Sequence, residues 1–199
     1  MTNDDRTYRC FIAIEPPEEA IDALWKLREE LRAELGETAF RWVSRPNLHI
    51  TLHFLGDVER QQIDGLCGAM NAACESCDRF VLDATSVGCF PNNRRARVVW
   101  AGFADSSASS KLQGHLGDEL QTRDFPVEKR AFTPHVTLAR AKRHARPDEI
   151  RAAGERLQER DAESICRFEV ASITLIRSQL RRQGPVYSAL HRSSLGSGS

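Results

Sequence analysis

Apolar positions along the chain follow two periods, and their order predicts a fold that mixes strands and helices. Residues 10–14 form a short apolar run that predicts a buried strand. The period then becomes helical. Ile21, Leu24, Trp25, Arg28, Leu31 and Leu35 share one face, Pro16-Pro17-Glu18-Glu19 suits the first turn, and Gly36 ends it. Residues 48–55 alternate as a strand, and Asp57 is expected to cap a helix whose stripe is Ile63, Leu66, Cys67, Met70, Cys74 and Cys77. Strands are predicted at 80–84, 86–90 and 96–103, with a turn at Pro91-Asn92-Asn93. Asp105 opens a helix through Leu112, Leu116 and Leu120. Residues 132–140 read as a strand, and Pro147-Asp148-Glu149 starts a helix through Ile150, Ala153 and Leu157. Strands near 168–176 and 186–190 follow, and residues 193–199 are expected to form a flexible tail. Consecutive strand pairs favour α+β over a doubly wound parallel sheet. No interior linker divides the chain, so residues 1–192 are expected to form one domain.

Composition sets limits on this picture. The 199 residues are 41% hydrophobic and 28% charged, which is ordinary globular usage. No apolar run reaches the roughly 18 residues of a membrane span. The polar start lacks the apolar segment of a secretory signal, and six Cys in that setting read as reduced thiols. A cytoplasmic monomer with no membrane partner is expected. No glycine-rich phosphate loop follows a strand, which argues against NAD or ATP machinery.

Charge is balanced overall but divided along the chain. Residues 1–90 carry 9 Lys+Arg against 16 Asp+Glu, and residues 91–199 carry 19 against 12. All but four of the basic residues are Arg, whose forked guanidinium matches phosphate geometry, although coding bias alone accounts for such usage. Zero net charge argues against coating long nucleic acid by charge and leaves room for a local phosphate site.

The most informative feature is a short repeat. His49-Ile50-Thr51-Leu52 and His135-Val136-Thr137-Leu138 share one form, where 6 His and 9 Thr lead to about 0.27 His-x-Thr triplets by chance. In strands, His49 and Thr51 share one face while Ile50 and Leu52 take the other, and the second motif repeats the pattern. Phosphodiester cleavage needs a base for the attacking oxygen and an acid for the leaving oxygen, and imidazole serves both near neutrality. Each Thr hydroxyl is a donor for a phosphate oxygen.

Asn47-Leu48-His49-Ile50-Thr51-Leu52-His53-Phe54-Leu55-Gly56 and Phe132-Thr133-Pro134-His135-Val136-Thr137-Leu138-Ala139-Arg140 resemble the paired motifs of the two-histidine phosphoesterases. Within them the likeness is to the RNA 2′,3′-cyclic phosphodiesterases, also called 2′-5′ RNA ligases. It extends over about residues 8–191, through Phe11-Ile12-Ala13-Ile14-Glu15-Pro16-Pro17, Arg97-Val98-Val99-Trp100, Leu175-Ile176-Arg177-Ser178-Gln179-Leu180 and Gly184-Pro185-Val186-Tyr187. The resemblance implies a bilobal, pseudo-twofold α+β fold, with antiparallel sheets lining a central cleft and helices outside. It implies hydrolysis of a terminal 2′,3′-cyclic phosphate to a 2′-phosphate without metal or cofactor. His49 is then the proton donor, His135 the proton acceptor, and Thr51 and Thr137 bind phosphate. RNA 3′ ends or nucleotides bearing the cyclic phosphate are the expected partners. Alternatives are 2′-5′ RNA ligation, and an RNA- or nucleotide-binding module with little catalysis.

Other residues carry weaker signals. Cys67, Cys74 and Cys77 are expected in the core rather than around zinc. His53 either lines the cleft or is an ordinary strand residue, and His115 is expected to be structural. Arg97 and Arg130 are candidates for substrate binding. Arg140, Lys142, Arg143 and Arg146 read as a solvated loop or an RNA-facing rim. Alternation places Phe54 beside Leu52 in the core, and Trp100 is expected there too.

Overall fold

The computed structural model describes residues 6–128, 131–159, 164–182 and 184–196. Nine strands form one sheet: β1 (Thr7–Ile14), β2 (Phe40–Trp42), β3 (Ile50–Glu59), β4 (Phe80–Phe90), β5 (Val98–Phe103), β6 (His135–Ala141), β7 (Cys166–Val170), β8 (Ser172–Arg181) and β9 (Gly184–Ser194). The helices are α1 (Glu18–Leu35), α2 (Ile63–Glu75), α3 (Ser107–Gln121) and α4 (Pro147–Gln158). The strand order is β7-β4-β5-β6-β3-β1-β8-β9, with β2 paired to β6, and every paired strand is antiparallel. A pseudo-twofold runs between β6 and β3. On one side the chain passes β1–α1–β3–α2, and on the other β5–α3–β6–α4, with β2 as an addition to the first.

One face of the sheet carries the main core. Ile12, Ile14, Leu24, Leu31, Ile50, Leu66, Met70, Leu112, Leu116, Val136, Leu138 and Leu157 are buried in one cluster. The other face carries a small cluster of Phe11, Ala13 and Ile176, backed by Tyr187. Alternation along β1 explains the division, with Ile12 and Ile14 facing the helices and Phe11 and Ala13 facing away.

The expected α1 is present with Glu18 and Glu19 in its first turn and Gly36 at its end. Gly36 has φ 75°, and its N–H donates to the Arg32 carbonyl. The stripe includes buried Arg28, whose Nε donates to the Val43 carbonyl and whose guanidinium lies 4.4 Å from the Trp25 ring and 5.6 Å from the Trp42 ring.

Several boundaries differ from expectation: β5 and β6 start later than expected, at Val98 and His135, and the region 168–176 is divided between β7 and β8. Asp57 caps nothing; it lies within β3, and Glu59 and Gln62 frame a 3-10 turn before α2. The strands expected at 80–84 and 86–90 are one strand, β4, with an irregularity between Ala84 and Ser86. The tail expected from 193 also begins later. Ser193 and Ser194 belong to β9, Ser193 Oγ donates to Asn71, and Leu195 is buried, because this segment closes over α2. Residues 197–199 lie outside the described residues.

Candidate active site

The two motifs meet at the seam of the sheet. Ile50 pairs with Val136, the register that joins β3 to β6. This single pairing brings the two His-x-Thr motifs side by side. Burial follows the sequence pattern: Ile50, Leu52, Val136 and Leu138 are buried, whereas His49, Thr51, His135 and Thr137 are half-buried.

The imidazoles are held in matching ways. His49 Nδ1 lies 2.8 Å from the Asn47 carbonyl, and His135 Nδ1 lies 2.7 Å from the Thr133 carbonyl. A carbonyl only accepts, so Nδ1 carries the hydrogen in both rings and Nε2 is left for chemistry. His49 Nε2 lies 3.1 Å from Thr51 Oγ1. Aromatic rings flank each imidazole. Phe11 and Tyr187 lie 4.8 and 5.4 Å from His49, and Phe90 and Trp100 lie 5.0 and 6.4 Å from His135. Asn47 is itself anchored, its Nδ2 donating to the Pro185 carbonyl of β9.

This setting disfavours the charged form of both histidines. Burial pushes His49 from 6.5 down to about 4, opposed by the Asn47 hydrogen bond and Glu15 and assisted by the Arg140 guanidinium and by repulsion from the His135 imidazole when that is charged. Burial likewise lowers His135, with the Thr133 carbonyl opposing and Arg140 assisting. Glu15 accepts from Thr174 Oγ1 and pairs with Arg192.

Cavities open on both sides of the seam. One of about 660 Å³ is lined by Thr51, Phe54, Phe90, His135, Thr137 and Arg140, among others. Another of about 230 Å³ adjoins His49, Glu15 and Tyr187.

Two matched bulges determine which residues join this face, and they correct the expectations for Phe54 and Arg140. In β3, Ile12 pairs with His53 and Ala13 with Thr51, so Leu52 is an extra residue. In β6, Val99 pairs with Ala139 and Trp100 with Thr137, so Leu138 is an extra residue. Each bulge reverses the alternation beyond it. Leu52 and His53 are both buried, as are Leu138 and Ala139. Phe54 and Arg140 consequently return to the cleft, and Phe54 is 56% exposed rather than in the core.

The remaining candidates divide. His53 does not line the cleft; it is buried, with Nε2 2.9 Å from the Gln113 carbonyl of α3. Trp100 is half-buried on the site face rather than in the main core. It lies over Gly88 and Gly102, where an added Cβ would stand 2.5 Å from indole carbons. Arg97 is exposed and is absent from the residues lining either cavity at the motifs, its backbone bonding Phe90 and Ala141. Arg130 lies outside the described residues. Of that basic group Arg140 lines the cavity at the motifs, while Lys142 donates to the Glu37 carbonyl, Arg146 pairs with Asp148 and Arg143 is exposed. Cys74 and Cys77 are buried, and His115 Nδ1 lies 3.5 Å from Cys77 Sγ.

Known proteins are similar to this chain in sequence and in fold. An RNA 2′,3′-cyclic phosphodiesterase of Thermotoga maritima is 31% identical over 185 residues, covering 92% of this chain and 93% of its own. One from Aeropyrum pernix is 34% identical over 164 residues, covering 81% and 90%. Among solved structures, TT0787 of Thermus thermophilus has a TM-score of 0.77 at 25% identity, covering 96% of this chain and 100% of its own. E. coli LigT complexed with 3′-AMP has a TM-score of 0.74 at 26% identity, covering 95% and 98%. The family model described as LigT like Phosphoesterase matches residues 14–100 and 105–187, so the chain belongs to the LigT-like phosphoesterases.

Proposed function

We propose that this protein hydrolyses the terminal 2′,3′-cyclic phosphate of RNA to a 2′-phosphate. The observation that carries this reading is that the Ile50–Val136 pairing brings both His-x-Thr motifs to one seam, where Thr51, His135, Thr137 and Arg140 line one cavity and His49 an adjoining one. Relatives at about this distance are RNA 2′,3′-cyclic phosphodiesterases, and E. coli LigT holds 3′-AMP, a ribonucleotide carrying phosphate on its ribose.

The step balances with groups on the site face. A water oxygen attacks phosphorus while its proton passes to His135 Nε2. The bond from phosphorus to O3′ breaks, and His49 Nε2 gives its proton to O3′. The 2′ oxygen stays on phosphorus, leaving a 2′-phosphate and a 3′ hydroxyl. Thr51, Thr137 and the Arg140 guanidinium face the charge that builds on the phosphoryl oxygens. Burial disfavours charge on His49, and the negative charge of the substrate phosphate opposes that effect and favours its protonation.

Turnover of adenosine 2′,3′-cyclic phosphate in EDTA tests the reading. Formation of adenosine 2′-phosphate at an undiminished rate is expected. Binding without turnover would instead support a nucleotide-binding module.

A further inference from the structure

We infer that Arg41 is a specificity residue: it binds the phosphodiester on the 5′ side of the terminal nucleotide, and so favours an RNA end over a free nucleoside 2′,3′-cyclic phosphate. This rests on the cyclic-phosphate reading and deepens it. Arg41 enters through β2, the strand that the pseudo-twofold does not repeat. There Phe40 pairs with Ala141, Arg41 with Arg140 and Trp42 with Ala139. Phe40 is buried in the main core, so Arg41 turns to the opposite face, the one that carries the site. Residues paired directly across antiparallel strands share a face, with Cβ atoms about 4.5–5.5 Å apart. Arg41 and Arg140 therefore stand side by side.

Like charges directly opposite each other destabilise a sheet. Elsewhere on the surface, Arg32 is matched by Glu37, Arg45 by Glu18 and Asp22, Arg79 by Glu169 and Arg192 by Glu15. Neither Arg41 nor Arg140 has a carboxylate partner among the described residues. An anion beside the two relieves their repulsion, and forked guanidinium groups match phosphate. Position separates the roles of the two cations. Arg140 lines the cavity of about 660 Å³ together with Thr137. Their partners on β5, Val98 and Trp100, are two residues apart, so Arg140 follows Thr137 by about 7 Å along the strand. Arg41 is exposed and is absent from the residues lining that cavity, one strand spacing beyond Arg140. The reacting phosphate thus has Thr51, Thr137 and Arg140, and Arg41 faces charge on a part of the ligand outside the cavity. A nucleoside 2′,3′-cyclic phosphate carries none there. An RNA end carries one on O5′ of the same ribose.

The test compares wild type, Arg41→Gln and Arg41→Lys on two substrates: adenosine 2′,3′-cyclic phosphate, and the same compound carrying a methyl phosphodiester on O5′, which adds one phosphate and no second base. Arg41→Gln is expected to raise KM for the diester roughly 10- to 100-fold, the range of a hydrogen bond to a charged group, with little change in kcat. On the unsubstituted nucleoside its kinetics should match wild type, and Arg41→Lys should recover part of the loss on the diester. The Tm of Arg41→Gln should equal or exceed that of wild type, because a like-charge pair is removed. Equal losses on both substrates, no loss on the diester, or a lowered Tm would overturn the assignment. Should wild type turn over neither substrate, the cyclic-phosphate reading fails. Calorimetric titration of the three proteins with adenosine 3′-monophosphate, with and without the 5′ methyl phosphodiester, then decides Arg41 separately. A loss of affinity in Arg41→Gln confined to the diester, with the slope of log affinity against log salt reduced by about 0.7, supports the assignment, and equal affinities oppose it.

Discussion

Ile50 faces Val136 across the seam between β3 and β6, and both are fully buried. Because strand side chains alternate, this pairing turns His49, Thr51, His135 and Thr137 to the opposite face together. The core thus fixes the register of the site. The imidazoles are then aimed by the Asn47 and Thr133 carbonyls, and flanking rings limit their rotation.

Arg140→Gln tests the cation at the seam. A hydrogen bond to a charged group contributes about 1.5–3 kcal/mol, so kcat/KM should fall roughly 10- to 100-fold. Arg140 also disfavours charge on both histidines, so its loss should raise the free-enzyme titration of His49 and His135. Steady-state kinetics with an NMR titration of the imidazoles checks both. Unchanged kinetics with unmoved titrations would remove Arg140 from the site.

The pH profile should separate the free enzyme from the complex. The acid must be protonated in the reacting state, yet burial holds His49 down to about 4 in the free protein. A bound phosphate anion favours the imidazolium, so the alkaline limb of kcat should lie at higher pH than that of kcat/KM. The limbs belong to the coupled pair rather than to single residues. The same depression has a stability consequence. The unfolded chain binds this proton near 6.5, so the stability from neutral His49 is complete above 6.5 and is lost as pH falls toward about 4. Coincident alkaline limbs for kcat and kcat/KM would contradict the substrate's part in protonating His49.

Gly88→Ala should disturb the site through packing. The new Cβ would stand 2.5 Å from the indole of Trp100, whose ring lies near His135 and Phe90. Overpacking of this kind costs about 1–3 kcal/mol. Thermal unfolding should show a lower Tm, and turnover should fall with it. A variant with wild-type Tm and activity would show that Trp100 has room to move.

The helices and the motif faces were legible because their signals are local. Acids and Pro17 open α1, Gly36 closes it, Pro147 starts α4, and each His-x-Thr alternates against buried aliphatics. The bulges were not legible. A period of two has no mark for an inserted residue, so alternation carried Phe54 into the core, and Arg140 read with its basic neighbours as a solvated loop or an RNA-facing rim, whereas pairing with β1 and β5 brings both to the cleft. One signal was present: Leu52-His53-Phe54 and Leu138-Ala139-Arg140 stand at equivalent places after the repeat. The short β2 was missed because its three residues form a strand only by pairing with β6. Ser193 and Leu195 owe their burial to contacts distant in sequence, including Asn71 for Ser193.

Chelation should leave activity intact. The motifs supply acid, base and hydroxyl donors, and the proposed step passes no proton or electron pair through a cation. Rates after exhaustive EDTA treatment should match untreated enzyme. Loss on chelation with recovery on adding one divalent metal would contradict the proposed chemistry.

The most direct measurement is product analysis on a short oligoribonucleotide ending in a 2′,3′-cyclic phosphate, with wild type, His49→Ala, His135→Ala and the double variant, each confirmed as folded. The expected result is a 2′-phosphate end from wild type and a loss of roughly 10²–10⁴-fold in each single variant. The double variant should lose less than the product of the two, because acid and base act as one unit. Folded single variants that still form the 2′-phosphate at near wild-type rates would contradict the two-histidine mechanism.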